Sequence, residues 1–268
     1  MKSKKTISND DLRIIRDYRL MDDSFMEVCF SENKKAVELV LGIILGRSLN
    51  VIKVITQDSY KNLHGRSIRI DVLAVDEDGV YYNIEIQRSD KGGSPKRARY
   101  HSGIIDAAVT EPGEDFNKLP EQYIIFITER DIPGRGMAVY EYVYTEKQLG
   151  IPLGDGTHIL YVNNEFRDDS DIGKLMQDFA ESDPDKMYYD VLAETARYFK
   201  ESERGVEQMC RVLDMKFEQG YEKGAANMLS TIMQNMNLTE EQVIKALNIT
   251  PEEYANYKKL ASEMRSDA

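Results

Sequence analysis

The stretch from Arg69 to Gln87 constrains the fold more than any other. Arg69-Ile70-Asp71-Val72-Leu73-Ala74-Val75 and Val80-Tyr81-Tyr82-Asn83-Ile84-Glu85-Ile86-Gln87 flank the run Asp76-Glu77-Asp78-Gly79, which reads as two antiparallel strands and a tight reversal. If Glu77, Asp78 and Gly79 form a three-residue loop with Gly79 left-handed, Asp71 falls opposite Glu85 and Arg69 opposite Gln87. The alternation agrees. Ile70, Val72 and Ala74 then share a face with Tyr82, Ile84 and Ile86, while Asp71 shares the other with Asn83, Glu85 and Gln87.

Carboxylates facing each other across neighbouring strands repel. A hard divalent cation such as Mg²⁺ removes that cost by taking oxygen ligands from both. The same pattern also fits a solvated sheet face on which Asp71 and Glu85 form ordinary ion pairs with Arg69 and Arg88. These residues by themselves leave both readings open.

The chain has 268 residues, 41% of them hydrophobic, enough for one substantial core and a smaller appendage. A net charge of −12 argues against a protein that coats nucleic acid by bulk electrostatics. Charge is uneven, however: Lys61, Arg66, Arg69, Arg88, Lys91, Lys96, Arg97 and Arg99 form either a local strip able to meet phosphates or a set of solvated charges. The apolar run around Val37 to Leu45 is too short to span a membrane and contains Glu38, and Thr6 to Asp11 is polar where a signal peptide would be apolar. A cytoplasmic location is the expectation. Cys29 and Cys210 lack zinc-ligand spacing and read as free thiols.

A helical pattern starts at Asp22, a candidate N-cap, and runs to Gly46 with an interruption near Ser31 to Asn33. Val51 to Thr56 reads as a strand, the hairpin adds two more, and Ser94-Pro95 opens a helix reaching toward Pro112. Tyr123 to Thr128 has the near-continuous apolar character of a strand buried on both faces. Met137 to Thr145 and His158 to Val162 are two further candidates. The order is helix, three strands, helix, then strands, an α/β mixed sheet with helices packed on it. This divides the chain into an N-terminal arm over 1–20 ending in a short helical segment, a sheet domain over 21–165, a helical region over 166–235 and a helical hairpin over 236–268. Thr239 and Thr250 carry N-cap patterns, the second with Pro251 at the first helical position. The hairpin is either a helix-turn-helix that enters DNA or a small packing or dimerisation module.

The Ile70-Asp71 step, the Asn83-Ile84-Glu85-Ile86-Gln87 strand and Lys96-Arg97-Ala98-Arg99-Tyr100 on the next helix resemble the PD-(D/E)XK nuclease superfamily. Within it they are similar to the Rpn branch of recombination-promoting nucleases, also described as PD-(D/E)XK nuclease family transposases. Asp22-Asp23-Ser24-Phe25 resembles that branch's opening motif, and Gly220-Tyr221-Glu222-Lys223-Gly224 its tails. The resemblance covers roughly 20–165. It implies a restriction-endonuclease-like α-β-β-β-α-β core with added strands, and Mg²⁺-dependent cleavage of phosphodiester bonds in DNA, with Mn²⁺ as a possible substitute. It also implies metal ligation by Asp71, Glu85 and the main-chain carbonyl of Ile86. Gln87 departs from the lysine of the wider superfamily but is shared with the Rpn branch. A neutral amide positions water or touches the metal without supplying charge, so the cation facing the phosphate is expected to be Arg97 or Lys96.

Several other residues carry alternatives. Asp22 is either a helix N-cap or a member of the metal shell. Tyr100 is either a core aromatic or a residue that stacks or hydrogen-bonds near the site. His64 and His101 are potential proton carriers that nothing in the sequence places beside the hairpin, and Glu27 is expected to face solvent. No phosphate-binding glycine loop, serine triad signature or HExxH motif is present. The expectation is a DNA endonuclease linked to recombination or mobile elements, self-associating as a homodimer through its C-terminal helices and without membrane attachment. The alternative is a catalytically degenerate nuclease fold that binds nucleic acid or protein.

Overall fold

The computed structural model describes residues 7–61, 67–88, 93–236 and 238–266. The chain forms two compact units, Met1–Val206 and Glu207–Ala268. In the first, a six-stranded sheet has the order β1-β2-β3-β4-β6-β5, where β1 is Val51–Lys61, β2 Ser67–Asp76, β3 Tyr81–Gln87, β4 Gln122–Thr128, β5 Val139–Tyr142 and β6 Thr157–Asn163. β1, β2 and β3 are antiparallel neighbours, β3, β4 and β6 run parallel, and β5 closes one edge antiparallel to β6. The α/β class and the mixed sheet expected from the sequence are both present.

The hairpin has the expected register. Val75 pairs with Tyr81, Ala74 with Tyr82, Leu73 with Asn83 and Val72 with Ile84, and Gly79 takes φ +80°, a conformation that costs glycine least. The Asp76 carboxylate organises the loop. Its Oδ1 accepts the Asp78 and Val80 N–H groups at 3.0 and 2.9 Å, and its Oδ2 the Tyr82 hydroxyl at 2.7 Å.

Helix α4 (Pro95–Val109) makes the crossover from β3 to β4, as parallel neighbours require; Ser94 caps it and Pro95 sits in its first turn. Its Ala98 and Ile105 pack on Leu73, Ile124, Phe126, Tyr140 and Tyr161. Ile70 joins this cluster too, contrary to the alternation, at a point where the ladder with β3 has ended. On the opposite side, α2 (Asp23–Phe30) and α3 (Lys34–Leu45) cover β1 and β2, and α5 (Asp171–Ala180) and α6 (Asp190–Glu201) back them. Phe30 meets Phe179, and Phe25 meets Phe199 edge-on. Phe25, Phe30 and Phe179 are fully buried, and each contributes about 1.5–3 kcal/mol. With both sheet faces covered, every residue of β4 is buried.

The interruption expected near Ser31 to Asn33 is the break between α2 and α3: Glu32 takes φ +56°, and Asn33 caps α3 through the Ala36 N–H. Two expectations need correcting. β1 runs on to Lys61 because β2 supplies partners that far. The strand expected from Met137 to Thr145 shrinks to β5, because the chain beyond Tyr142 turns away into an exposed loop tied by a Thr145–Pro152 bridge.

Helix α1 (Asn9–Asp17) ends the N-terminal stretch, and Ile15, Leu20 and Met21 are fully buried. Lys200 of α6 anchors this segment. Its ammonium donates to the carbonyls of Arg16, Tyr18 and Ser182 and lies over the Phe25 ring. Three donors meet three acceptors with no carboxylate involved, and burial pushes the Lys200 pKa down to about 8.

The second unit contains most of α7 (Glu203–Met236), with α8 (Glu240–Leu247) and α9 (Pro251–Ser266). Both predicted caps are present, Thr239 with Gln242 and Thr250 with Glu253. Ala226, Leu229, Val243, Tyr254, Tyr257 and Ala261 form its core. The two tyrosines of α9 thus face inward, as in a packing module. Cys29 and Cys210 form no disulfide. Among the described residues, no helix is long and apolar enough to cross a membrane.

Replacing Asp76 tests the loop. Asp76→Ala strands two main-chain donors and a buried hydroxyl, and is expected to lower unfolding free energy by about 3 kcal/mol in urea titration; an unchanged midpoint would show that the carboxylate does not hold the turn.

Candidate active site

The β2–β3 ladder ends at the Val72–Ile84 pair, and the next two residues in register are Asp71 and Glu85. Here side chains replace main-chain acceptors. The Asp71 N–H donates to Glu85 Oε1 at 3.2 Å, and the Ile86 N–H donates to Asp71 Oδ2 at 3.0 Å. The strands can part because each keeps its outer neighbour, β2 pairing with β1 through Ser59–Arg69 and β3 with β4 through Gln87–Thr128. Two amides that would otherwise be orphaned are satisfied, and both carboxylates are drawn between the strands.

Glu85 is fully buried, which rules out the solvated-face reading of the pair. Its Oε1 also accepts from Asn83 Nδ2 at 2.7 Å. Its Oε2 is buried without a hydrogen-bond donor among the described residues, and the closest cation is Arg97 Nη2 at 3.6 Å. Burial, then the neighbouring Asp71 carboxylate, raises the Glu85 pKa. Burial also raises that of Asp71, with the Ile86 amide opposing and Asp23 adding to the rise. A buried carboxylate oxygen with no hydrogen-bond donor and a guanidinium only at 3.6 Å is incompletely compensated, so the pair stores unfavourable charge that a cation would relieve.

His101 stands behind this pair, buried on α4 one turn after Arg97. The Arg97 Nε–H can only donate, so His101 Nε2 accepts it at 3.3 Å. His101 Nδ1 then carries the proton and donates to Asn83 Oδ1 at 3.0 Å, and Asn83 donates to Glu85. Burial and the adjacent guanidinium push the His101 pKa down to about 4. It is therefore neutral near pH 7, and its 3.6 Å approach to Glu85 is not an ion pair.

Of the site residues expected from the sequence, Asp71, Glu85, Ile86 and Arg97 come together, and Gln87 follows directly on β3. Lys96 lines a pocket between α4, the chain at the end of β5, and β6. Arg69 does not pair with Gln87: its guanidinium goes to Glu27 at 3.4 Å, so Glu27 is half-buried in an ion pair and does not simply face solvent. Asp22 occupies the N-cap position of α2 without capping it; its carboxylate takes the Arg19 N–H and Arg88. Tyr100 is half-buried. His64, Arg66 and Lys91 lie outside the described residues. Sequence reasoning missed the positions of His101 and Asp23 and the bonding of Asn83. The i, i+4 spacing of Arg97 and His101 was the available signal for the first.

Two oxygen-bearing side chains with one unsatisfied atom suit a hard cation. Among the described residues no three His, Cys, Asp or Glu side chains converge to form a metal cage. Main-chain carbonyl, water or substrate would therefore have to complete the shell.

The raised carboxyl pKa values carry a sign. The folded chain holds protons that an unfolded chain has lost, so stability falls as pH rises from the ordinary carboxylate range through the raised values. Glu85→Gln removes one of the two charges and is expected to raise Tm by a few degrees in metal-free buffer at about pH 8, and by less at about pH 5. A Tm difference that does not depend on pH would show that the pair is not charged against its surroundings.

No curated protein and no solved structure matches the chain. The family profile described as PD-(D/E)XK nuclease family transposase matches residues 29–173, a segment that starts inside α2, takes in all six strands and ends in α5. This match covers more than half of the chain, and the protein belongs to the PD-(D/E)XK nuclease family transposases.

Proposed function

We propose that the protein is a divalent-metal-dependent endonuclease that cleaves DNA phosphodiester bonds in the cytoplasm, in the service of recombination or mobile elements. The observation that carries this reading is the Asp71–Glu85 pair, in which the buried Glu85 Oε2 has no hydrogen-bond donor among the described residues. Asp71 and Glu85 hold the cation, Mg²⁺ or Mn²⁺, and the carbonyl of Ile86 joins them. When bound, such a cation activates water and offsets the negative charge that grows on the phosphate.

The chain's own residues do the rest. Gln87, the last residue of β3 and just past the acids, orients the attacking water through its amide. Arg97, partly exposed at the start of α4, turns its guanidinium toward the scissile phosphate and supplies the positive charge that Gln87 lacks. DNA contacts are mainly to the backbone. In the second unit, Phe217, Tyr221 and Met228 are exposed on α7 at helical spacing, which supports self-association of two copies through this region.

Incubation with supercoiled plasmid tests the reading. Nicking is expected with Mg²⁺ or Mn²⁺, to be lost with chelator, and to fall by at least about a hundredfold in Asp71→Ala. Mn²⁺ is expected to raise the Tm of the parent chain and not of Asp71→Ala. Equal nicking by both proteins, or none by either, would leave the degenerate binding module, which the uncharged Gln87 favours. A homodimer in sedimentation that Phe217→Glu with Tyr221→Glu converts to monomer is expected; an unaltered dimer would place the interface elsewhere.

A further inference from the structure

The first turns of α4 have two working flanks. Arg97 and His101 face the acid pair. Pro95, Lys96 and Arg99 face the edge of the sheet, where with Tyr142, Tyr144 and Ile159 they line a cavity of about 270 Å³. The tyrosines are 48% and 45% exposed, so large aromatic surfaces stand open to solvent, and Tyr142 is braced edge-on by Tyr161.

Charge is the second observation. The chain carries −12, and Arg19, Arg69, Arg88 and Arg97 in this unit all sit beside carboxylates. Lys96 and Arg99 have neither an ion-pair nor a hydrogen-bond partner among the described residues, and no carboxylate lines the cavity. Open aromatic walls with two uncompensated cations complement a flat ring bearing a phosphate. A base stacked inside a duplex presents no free face, whereas an unpaired one does.

We propose that this cavity holds an unpaired nucleotide of the substrate strand, its base against Tyr142 and Tyr144 and its phosphate between Lys96 and Arg99. This rests on the nuclease reading and sharpens it. Lys96 adjoins Arg97, and α4 rises only about 1.5 Å per residue, so a strand with one phosphate at the acid pair has a neighbouring nucleotide within reach of the cavity. The substrate is then single-stranded DNA, or DNA with an unpaired segment beside the cut.

The test measures binding in chelator, with no metal and no cleavage, by fluorescence anisotropy of a labelled single-stranded oligonucleotide and of its blunt duplex with the full chain. The parent chain is expected to prefer the single strand. Tyr142→Ala with Tyr144→Ala is expected to weaken single-strand binding on the order of tenfold and leave duplex binding unchanged. Lys96→Gln with Arg99→Gln removes one phosphate contact and is expected to reduce the steepness of the salt dependence by about 0.7 in log–log slope. All four side chains are exposed, and an unchanged Tm checks that each variant folds. Single-strand affinity unaltered in both variants would overturn the proposal. So would a self-associated parent that the tyrosine variant dissociates without touching DNA binding, since a second copy would then own the cavity. Plasmid nicking judges the nuclease reading separately: its absence alongside the expected binding changes would sink that reading and not the cavity.

Discussion

Two amides in the middle of the sheet are satisfied by carboxylates where a continuous ladder would offer carbonyls. Asp71 gives its N–H to Glu85 and its side chain to Ile86, and this crossed exchange is what turns a hairpin into a site. It draws two acids between the strands, and it can exist only because β1 and β4 secure the outer edges of the strands it separates. The sheet's continuity on both sides is therefore the condition for its interruption in the middle.

The electrostatic cost is local and directed. Glu85 Oε1 is well provided with donors, and Oε2 has none. The chain Arg97–His101–Asn83–Glu85 explains the asymmetry. A neutral histidine between a guanidinium and an amide passes orientation inward without adding a second charge, so Glu85 is fixed in place while its other oxygen stays uncommitted. A charged histidine at the same position would bind the carboxylate itself and close the site.

Much of this was legible in the sequence, for physical reasons that differ from residue to residue. The period-2 alternation and the left-handed glycine fix the hairpin register, so the facing of Asp71 and Glu85 followed from counting. Ser94-Pro95 and the threonine caps announce helix starts because they act within one turn. The partners of Asn83 and His101 were hidden because they depend on how α4 is laid across the sheet. Asp22 takes the N-cap position that was one of its two readings, yet its side chain does not cap, because Arg19 and Arg88 compete for it. Whether the acids faced water or protein was equally illegible, since it depends on the helix covering them and not on the strands that carry them. The β5 strand was overextended because apolar, β-prone residues after Tyr142 look the same in a strand and on an exposed surface.

The Lys200 anchor has a consequence for biosynthesis. Its three acceptors come from Arg16, Tyr18 and Ser182, so the Arg16 to Tyr18 segment is secured by a side chain made almost two hundred residues later. The helices between can assemble on the sheet as they emerge, whereas the end of α1 must wait for α6 before its carbonyls find a partner. The Arg16 to Tyr18 segment is thus among the last parts of the first unit to lock, and release of α6 marks the moment at which that unit can close.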